Sequence, residues 1–273
     1  MTTDIRPDAP ILVAPHATLA GVTTITLNRP QSLNSLDTAM SDAFTPAITQ
    51  VLADGTTRVL ILQGAGAHFM AGGDIKGFAQ TLATPGPERR QGYFDMIGRL
   101  HAGVELLQRS NVITICKVQG ACAGIGMSFA IGCDLTVASD DAYFATAYKA
   151  IGLTPDGGQS FFLPRLVGVK KAMELMLLSD RITATEALSL GMLTRVVPLA
   201  ELDSAVDKLA EKIARSSRGS MAGIKRLINN SMQNTLSVQL AAEQESFSSC
   251  AGTEDFSEGI RAFVEKRHAK FSL

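Results

Sequence analysis

The stretch Val59-Leu60-Ile61-Leu62, followed by His68-Phe69-Met70-Ala71-Gly72-Gly73-Asp74-Ile75, has a counterpart fifty residues later. There Val112-Ile113-Thr114-Ile115-Cys116-Lys117-Val118 leads into Gly120-Ala121-Cys122-Ala123-Gly124-Ile125-Gly126-Met127. In each case an apolar, β-branched run reads as a buried strand, and the small residues after it read as a tight turn. Side chains this small leave main-chain N–H groups uncovered, and a helix that starts there points its first free N–H groups outward. Two such turns brought together would cradle one oxygen on which negative charge develops. Taken alone, either turn reads as ordinary packing between elements.

Around these turns the chain alternates strand and helix patterns. Ile11–Val13, Val22–Leu27 and Leu135–Ala138 are further strand signals. Between residues 88 and 109, Tyr93, Phe94, Ile97, Leu100, Val104 and Leu107 recur at helical spacing. Residues 37–53 also read as a helix, which Pro46 is expected to kink or split. After residue 168 helices dominate. Lys170–Ser179 is one, and Thr183-Ala184-Thr185-Glu186 opens another with a capping box before Gly191. Others are expected over 201–216, 220–232, 236–250 and 255–267. The order predicts an α/β fold with a helical C-terminal region: a flexible segment 1–10, an α/β core over 11–200 and helices over 201–273. No fixed-period repeat is visible.

Composition narrows the function. The chain has 273 residues, 46% hydrophobic and 19% charged, which suits a packed core. Its net charge of −1, with both signs scattered, gives no footprint for nucleic acid or a membrane surface. Met1–Pro10 lacks the apolar centre of a signal peptide, and no run approaches the ~20 apolar residues of a membrane span, so a cytoplasmic location is expected. Cys116, Cys122, Cys133 and Cys250 show no paired zinc spacing and read as reduced core residues. Cys122, inside the second turn, also reads as a reactive thiol. His16, His68, His101 and His268 form no Ser/His/Asp order or metal cluster, so no metal is expected.

Several segments, in order, resemble the enoyl-CoA hydratase/isomerase (crotonase) superfamily. They are Leu27-Asn28-Arg29-Pro30 with Asn34-Ser35-Leu36, then Phe69 to Lys76, Val118 to Asp134, and Gly152-Leu153-Thr154-Pro155-Asp156-Gly157-Gly158. Leu163 to Gly168 and Glu258 to Arg267 continue the match. The resemblance implies a spiral of ββα units and a C-terminal helical region that builds trimers, often stacked as hexamers. It implies an acyl-CoA substrate with no further cofactor, its thioester oxygen held by the N–H groups of Ala71 and Ile125. Ile125 stands where the family often has glycine, which a backbone donor tolerates. Gly72, Gly73, Asp74 and Ile75 would line the CoA path beside Gly124, although Asp74 reads equally as a helix cap. Arg29, Lys76 and Lys266 are the cations that could meet CoA phosphates.

The resemblance also separates reactions. The two glutamates with which the family's hydratases activate water are replaced by Ser128 and Tyr148, neither of which is a ready carboxylate-type acid or base. Asp156 remains, in a Pro-Asp-Gly turn flanked by Phe161, Phe162 and Leu163, where desolvation can raise a carboxyl toward a useful base. Without the family frame it is a plain turn residue. This turn and the tail Glu243–Phe271 look most like bacterial enoyl-CoA isomerases, including the branch acting on ring-derived phenylacetate-pathway thioesters. The expectation is an isomerase with Asp156 as acid/base. The alternatives are a hydratase-like lyase and a catalytically silent acyl-CoA-binding protein.

Overall fold

The computed structural model describes Asp8 to Phe271, so residues 1–7 of the segment read as flexible lie outside the described residues. Strands β1 (Ile11–Pro15) and β2 (Val22–Leu27) form an antiparallel pair, Ile11 opposite Leu27. From β2 the sheet continues in parallel through β3 (Val59–Gly64), β4 (Ile113–Val118), β6 (Leu135–Ser139) and β9 (Arg195–Val197). The period-two alternation of β3 feeds two cores. Leu60 and Leu62 face the main one, while Val59 and Ile61 face a second core closed by Leu202, Val206, Leu209 and Ala210 of α7 (Leu202–Ala214). Burial on both faces is why this strand is a continuous apolar run rather than an alternating one.

A second, smaller layer joins β5 (Ala121–Ala123), β7 (Tyr143–Ala145) and β8 (Ile182–Thr183). Bridges Leu36–Gly73 and Met70–Cys122 extend it, so its order follows that of the large sheet. After each long strand the chain steps into this layer and then into a helix: α1 (Thr38–Ala53), α2 (Ile75–Gln80) with α3 (Gly86–Arg109), α4 (Ile125–Gly132) and α5 (Gln159–Leu178). This is the expected ββα spiral. Its repeat is hidden in the sequence because the helices range from 6 to 24 residues.

Two helices differ from expectation. α1 runs unbroken through Pro46, which is exposed, so the carbonyl freed at Asp42 faces water instead of the core. α5 begins at Gln159, well before Lys170, and Gly168 (φ 78°) divides it in two. The capping box at Thr183 opens α6 (Ala184–Ser189), with both reciprocal bonds formed.

Beyond α7, three helices complete the chain: α8 (Arg218–Ser231), α9 (Leu236–Ala251) and α10 (Glu254–Val264). α8 is pinned by Lys225, a buried ammonium that donates to the Leu107 and Val112 carbonyls at 2.8 Å and pairs with Asp134 at 2.9 Å. A buried lysine is tolerable only when so fully partnered. No helix among the described residues is long and apolar enough to cross a membrane.

Candidate active site

The two glycine turns meet. A Cβ placed on Gly124 would lie 3.3 Å from the Gly72 Cα, and one on Gly126 would lie 2.7 Å from the Met70 carbonyl oxygen. Gly124 holds φ 54° and ψ −125°, a conformation that L side chains rarely adopt. Small residues here are a condition of contact between the turns, beyond any local turn preference.

The backbone bonds decide which N–H groups remain available. Ala71 N–H donates to the Leu33 carbonyl at 3.0 Å, so Ala71, expected as the first oxyanion donor, is already committed. The bridge to Leu36 uses the Gly72 carbonyl and the Asp74 N–H, at 2.8 and 2.9 Å. In a parallel bridge the intervening residue turns its own N–H to the opposite edge. The Gly73 N–H therefore faces the side on which Met70 pairs with Cys122, toward α4. It has no acceptor among the described residues. The Ile125 N–H is the first of α4 and likewise has none, while the Gly124 N–H is taken by the Ala145 carbonyl at 2.9 Å. The two N–H groups left without an acceptor between the turns are those of Gly73 and Ile125, the second at the positive end of the α4 dipole.

Asp156 lies against the same helix. A Cβ on Gly157 (φ 61°) would stand 2.3 Å from the Ile125 Cδ1 and 3.0 Å from the Ser128 Cβ. The peptide joining Asp156 to Gly157 is clamped at both ends. Its carbonyl accepts from the Ser128 hydroxyl at 2.9 Å, and its N–H donates to His101 Nε2 at 3.0 Å. The Tyr148 hydroxyl, at the start of a short 3-10 turn, donates to Asp156 Oδ1 at 2.5 Å and lies 3.3 Å from Ser128 Oγ. Burial raises the Asp156 carboxyl above its ordinary value, outweighing Tyr148 and His101, which favour the charged form. Burial, then the Asp156 charge, push the Tyr148 phenol far up, so it serves as a protonated donor.

Ser128, Tyr148 and Asp156 are thus brought together, and His101 joins them. Its signal was its place on the α3 stripe, four residues after Ile97.

Other expected ligands are occupied. Arg29 pairs with Asp37 at 3.2 Å and Asp74 at 3.0 Å and donates to the Ser35 carbonyl, which removes it from phosphate binding. Asp74 is the N-cap of α2, accepting from the Lys76 and Gly77 N–H groups. Ile75 and Lys76 are exposed on that helix. Lys266 is exposed beyond α10, and no hydrogen bond or ion pair joins it to either turn among the described residues. His68 Nδ1 accepts from the Ala121 N–H at 3.1 Å, a structural bond between the turns. Burial pushes the Cys122 and Cys116 thiols well up, which corrects the alternative of a reactive Cys122. Among the described residues no cluster of three or more His, Cys, Asp or Glu side chains is placed to hold a metal. A separate cavity of about 310 Å³ lies under α7, but its polar side chains partner each other, His16 with Asp207 and Lys117 with Asp203.

Comparison with known proteins identifies the family of the chain. The family described as enoyl-CoA hydratase/isomerase matches residues 17–272. A 1,2-epoxyphenylacetyl-CoA isomerase of Escherichia coli (strain K12) is 34% identical over 92% of this chain and 95% of its own. A short-chain-enoyl-CoA hydratase of Clostridium acetobutylicum is 33% identical over 90% and 92%. The crystal structure of an enoyl-CoA hydratase from Polaromonas sp. JS666 superposes with a TM-score of 0.88 at 30% identity, covering 96% of this chain and 99% of that one. This chain belongs to the enoyl-CoA hydratase/isomerase family.

Proposed function

We propose that the protein is an enoyl-CoA isomerase that moves a C=C bond along the acyl chain of a CoA thioester. The observation that carries this reading is the acid/base group itself. Asp156 is a desolvated carboxyl with a raised proton affinity, and the side chains beside it, Ser128 and Tyr148, supply no second carboxylate. A carboxylate pair suits the activation of water. A lone basic carboxylate suits removal of a carbon-bound proton and its return elsewhere.

In this mechanism the thioester oxygen sits between the Gly73 and Ile125 N–H groups. Asp156 removes the acidic proton between the alkene and the thioester. The electron pair moves onto that oxygen as an enolate, and the protonated Asp156 delivers the proton to the far carbon. Each backbone donor contributes roughly 10²–10³ in rate. Tyr148 holds the carboxylate, while Ser128 and His101 hold its backbone.

Incubation with 3-enoyl-CoA and 2-enoyl-CoA in D2O, followed by mass, tests the reading. A positional isomer is expected, read by the ultraviolet absorbance of the conjugated enoyl thioester, with deuterium entering only as far as the protonated Asp156 exchanges with solvent before it returns the proton. A mass gain of one water would make the protein a hydratase, and binding without turnover would make it a silent acyl-CoA binder. Hydration of crotonyl-CoA should fall well below typical enzyme turnover of ~10 per second.

The C-terminal helices support assembly as a homotrimer or a dimer of trimers. On α10, Phe263, Val264 and Ile260 are 84%, 74% and 50% exposed, and Ile228 and Met232 are bare on and just beyond α8. An apolar face of this extent is the mark of a subunit contact. Lys266 would then face a neighbouring copy. Light scattering should give a trimer or hexamer, and a stable monomer at micromolar concentration would refute the assembly.

A further inference from the structure

We propose that Gln159 is a positioning residue that sets the strength of the Ile125 oxyanion donor, an inference that rests on the oxyanion reading above. Gln159 is the first residue of α5 and is fully buried. Its Nε2 donates to the Gly124 carbonyl at 3.3 Å, and its Oε1 has no partner. The Gly124 carbonyl and the Ile125 N–H are opposite ends of one planar peptide. Whatever grips the carbonyl therefore orients the N–H, and a donor on the oxygen polarises the amide so that its hydrogen becomes a better donor.

The need for this grip lies in the backbone. Gly124 is non-helical (φ 54°, ψ −125°), so α4 holds the carbonyl end of the peptide that follows it by a single main-chain bond. The Ser128 N–H reaches the same carbonyl at 3.2 Å, and the Ser128 hydroxyl is 3.4 Å away. That hydroxyl has one hydrogen and a shorter acceptor in the Asp156 carbonyl at 2.9 Å, which leaves Gln159 as the side chain assigned to Gly124.

Packing alone does not account for an amide here. A leucine or methionine would fill a similar volume without burying an unpaired oxygen, and natural structures leave few such atoms. Nor does the turn need the side chain, because the Gln159 main-chain N–H makes its own bond to the Asp156 carbonyl at 3.2 Å. The side chain links the α5 start, which follows the acid/base turn, to the rear of the oxyanion peptide. It touches no reacting atom.

Polarisation strengthens a bond of this kind by about 10–30%. One oxyanion donor carries about 10²–10³ in kcat, so loss of Nε2 should lower kcat roughly two- to eightfold. Gln159→Met is the test, with Gln159→Leu made alongside it and the fold of each checked by its melting temperature. The decisive readout is the infrared stretch of butyryl-CoA labelled with 13C at its thioester carbonyl. In the wild-type protein the bound stretch should lie below its value in water. In the folded variant it should move back toward that value, while kcat falls and KM stays within about twofold. A wild-type stretch equal to that of free butyryl-CoA would overturn the oxyanion reading and this inference together. A lowered stretch that is identical in wild type and variant, with unchanged kcat, would leave the oxyanion site standing and reduce Gln159 to packing.

Discussion

Asp74 and Asp156 occupy similar settings, yet their carboxyls are shifted in opposite directions. Each sits beside paired glycines in a turn that leads into a helix, and each is largely screened from solvent. Asp74 is saturated. It accepts the Lys76 N–H at 3.1 Å, the Gly77 N–H at 3.2 Å and Arg29 at 3.0 Å. Burial would raise its carboxyl, but Arg29 and the two amides outweigh burial and hold it below the usual value. Asp156 has the Tyr148 hydroxyl as its side-chain hydrogen-bond donor, and burial wins. The number of donors that surrounding elements supply, rather than the turn, separates a carboxyl held charged from one pushed toward its protonated form.

The largest test of this contrast is kinetic. Asp156→Asn keeps size and most hydrogen bonding while removing the base. It should lower isomerisation by about 10²-fold or more, with acyl-CoA affinity and the fold nearly intact. Asp156→Glu should retain part of the activity. Asp74→Asn should leave the rate per folded molecule within about twofold. Near wild-type turnover in Asp156→Asn would collapse the distinction and make Tyr148 the next candidate.

Stability should invert the ranking. Asp74→Ala removes an N-cap, worth about 1 kcal/mol, and strips one carboxylate from the partly buried Arg29. Arg29 keeps Asp37 and the Ser35 carbonyl, so the total cost should be about 2 kcal/mol. Urea unfolding at neutral pH reads this directly, and a loss under about 0.5 kcal/mol would show that Asp74 is not the anchor of its turn.

What the sequence disclosed follows the same division. The long strands were legible because burial on both faces demands unbroken apolar runs such as Val59–Leu62. The short second-layer strands β5, β7 and β8 were not, since two or three residues carry no period. The two glycine turns and Asp156 could be found, but the donor in the first turn could not be assigned. Whether Ala71 or Gly73 offers its N–H depends on pairing with Leu33 and Leu36, more than thirty residues away. Arg29 read as a phosphate ligand because its carboxylate partners, Asp37 and Asp74, meet it only in the fold. His101 was hidden for the converse reason: on an apolar helical stripe, a histidine that ends 3.0 Å from the Gly157 amide looks like one more packing residue.

The smallest predicted effect is also the one that most directly compares the two carboxylates, because their pH linkages have opposite signs. Asp74 is held below its ordinary 3.8, so the folded protein binds fewer protons there than the unfolded chain. Its contribution is present above that pH and lost as the pH falls through its folded value. Asp156 is raised above 3.8, so the folded protein binds more protons, and ionising it costs stability as the pH climbs from there through its folded value. Removing that ionisation should raise the melting temperature of Asp156→Asn over wild type near about pH 7, by a few degrees at most. The gain should shrink toward zero as the pH falls well below 3.8, where the wild-type carboxyl is protonated in both states. Parallel melting curves for Asp74→Asn should show the reverse trend, with its deficit largest at neutral pH and fading in acid. A melting temperature for Asp156→Asn below wild type at neutral pH would mean that the Tyr148 hydrogen bond outweighs desolvation. Asp156 would then be a second Asp74, held for structure.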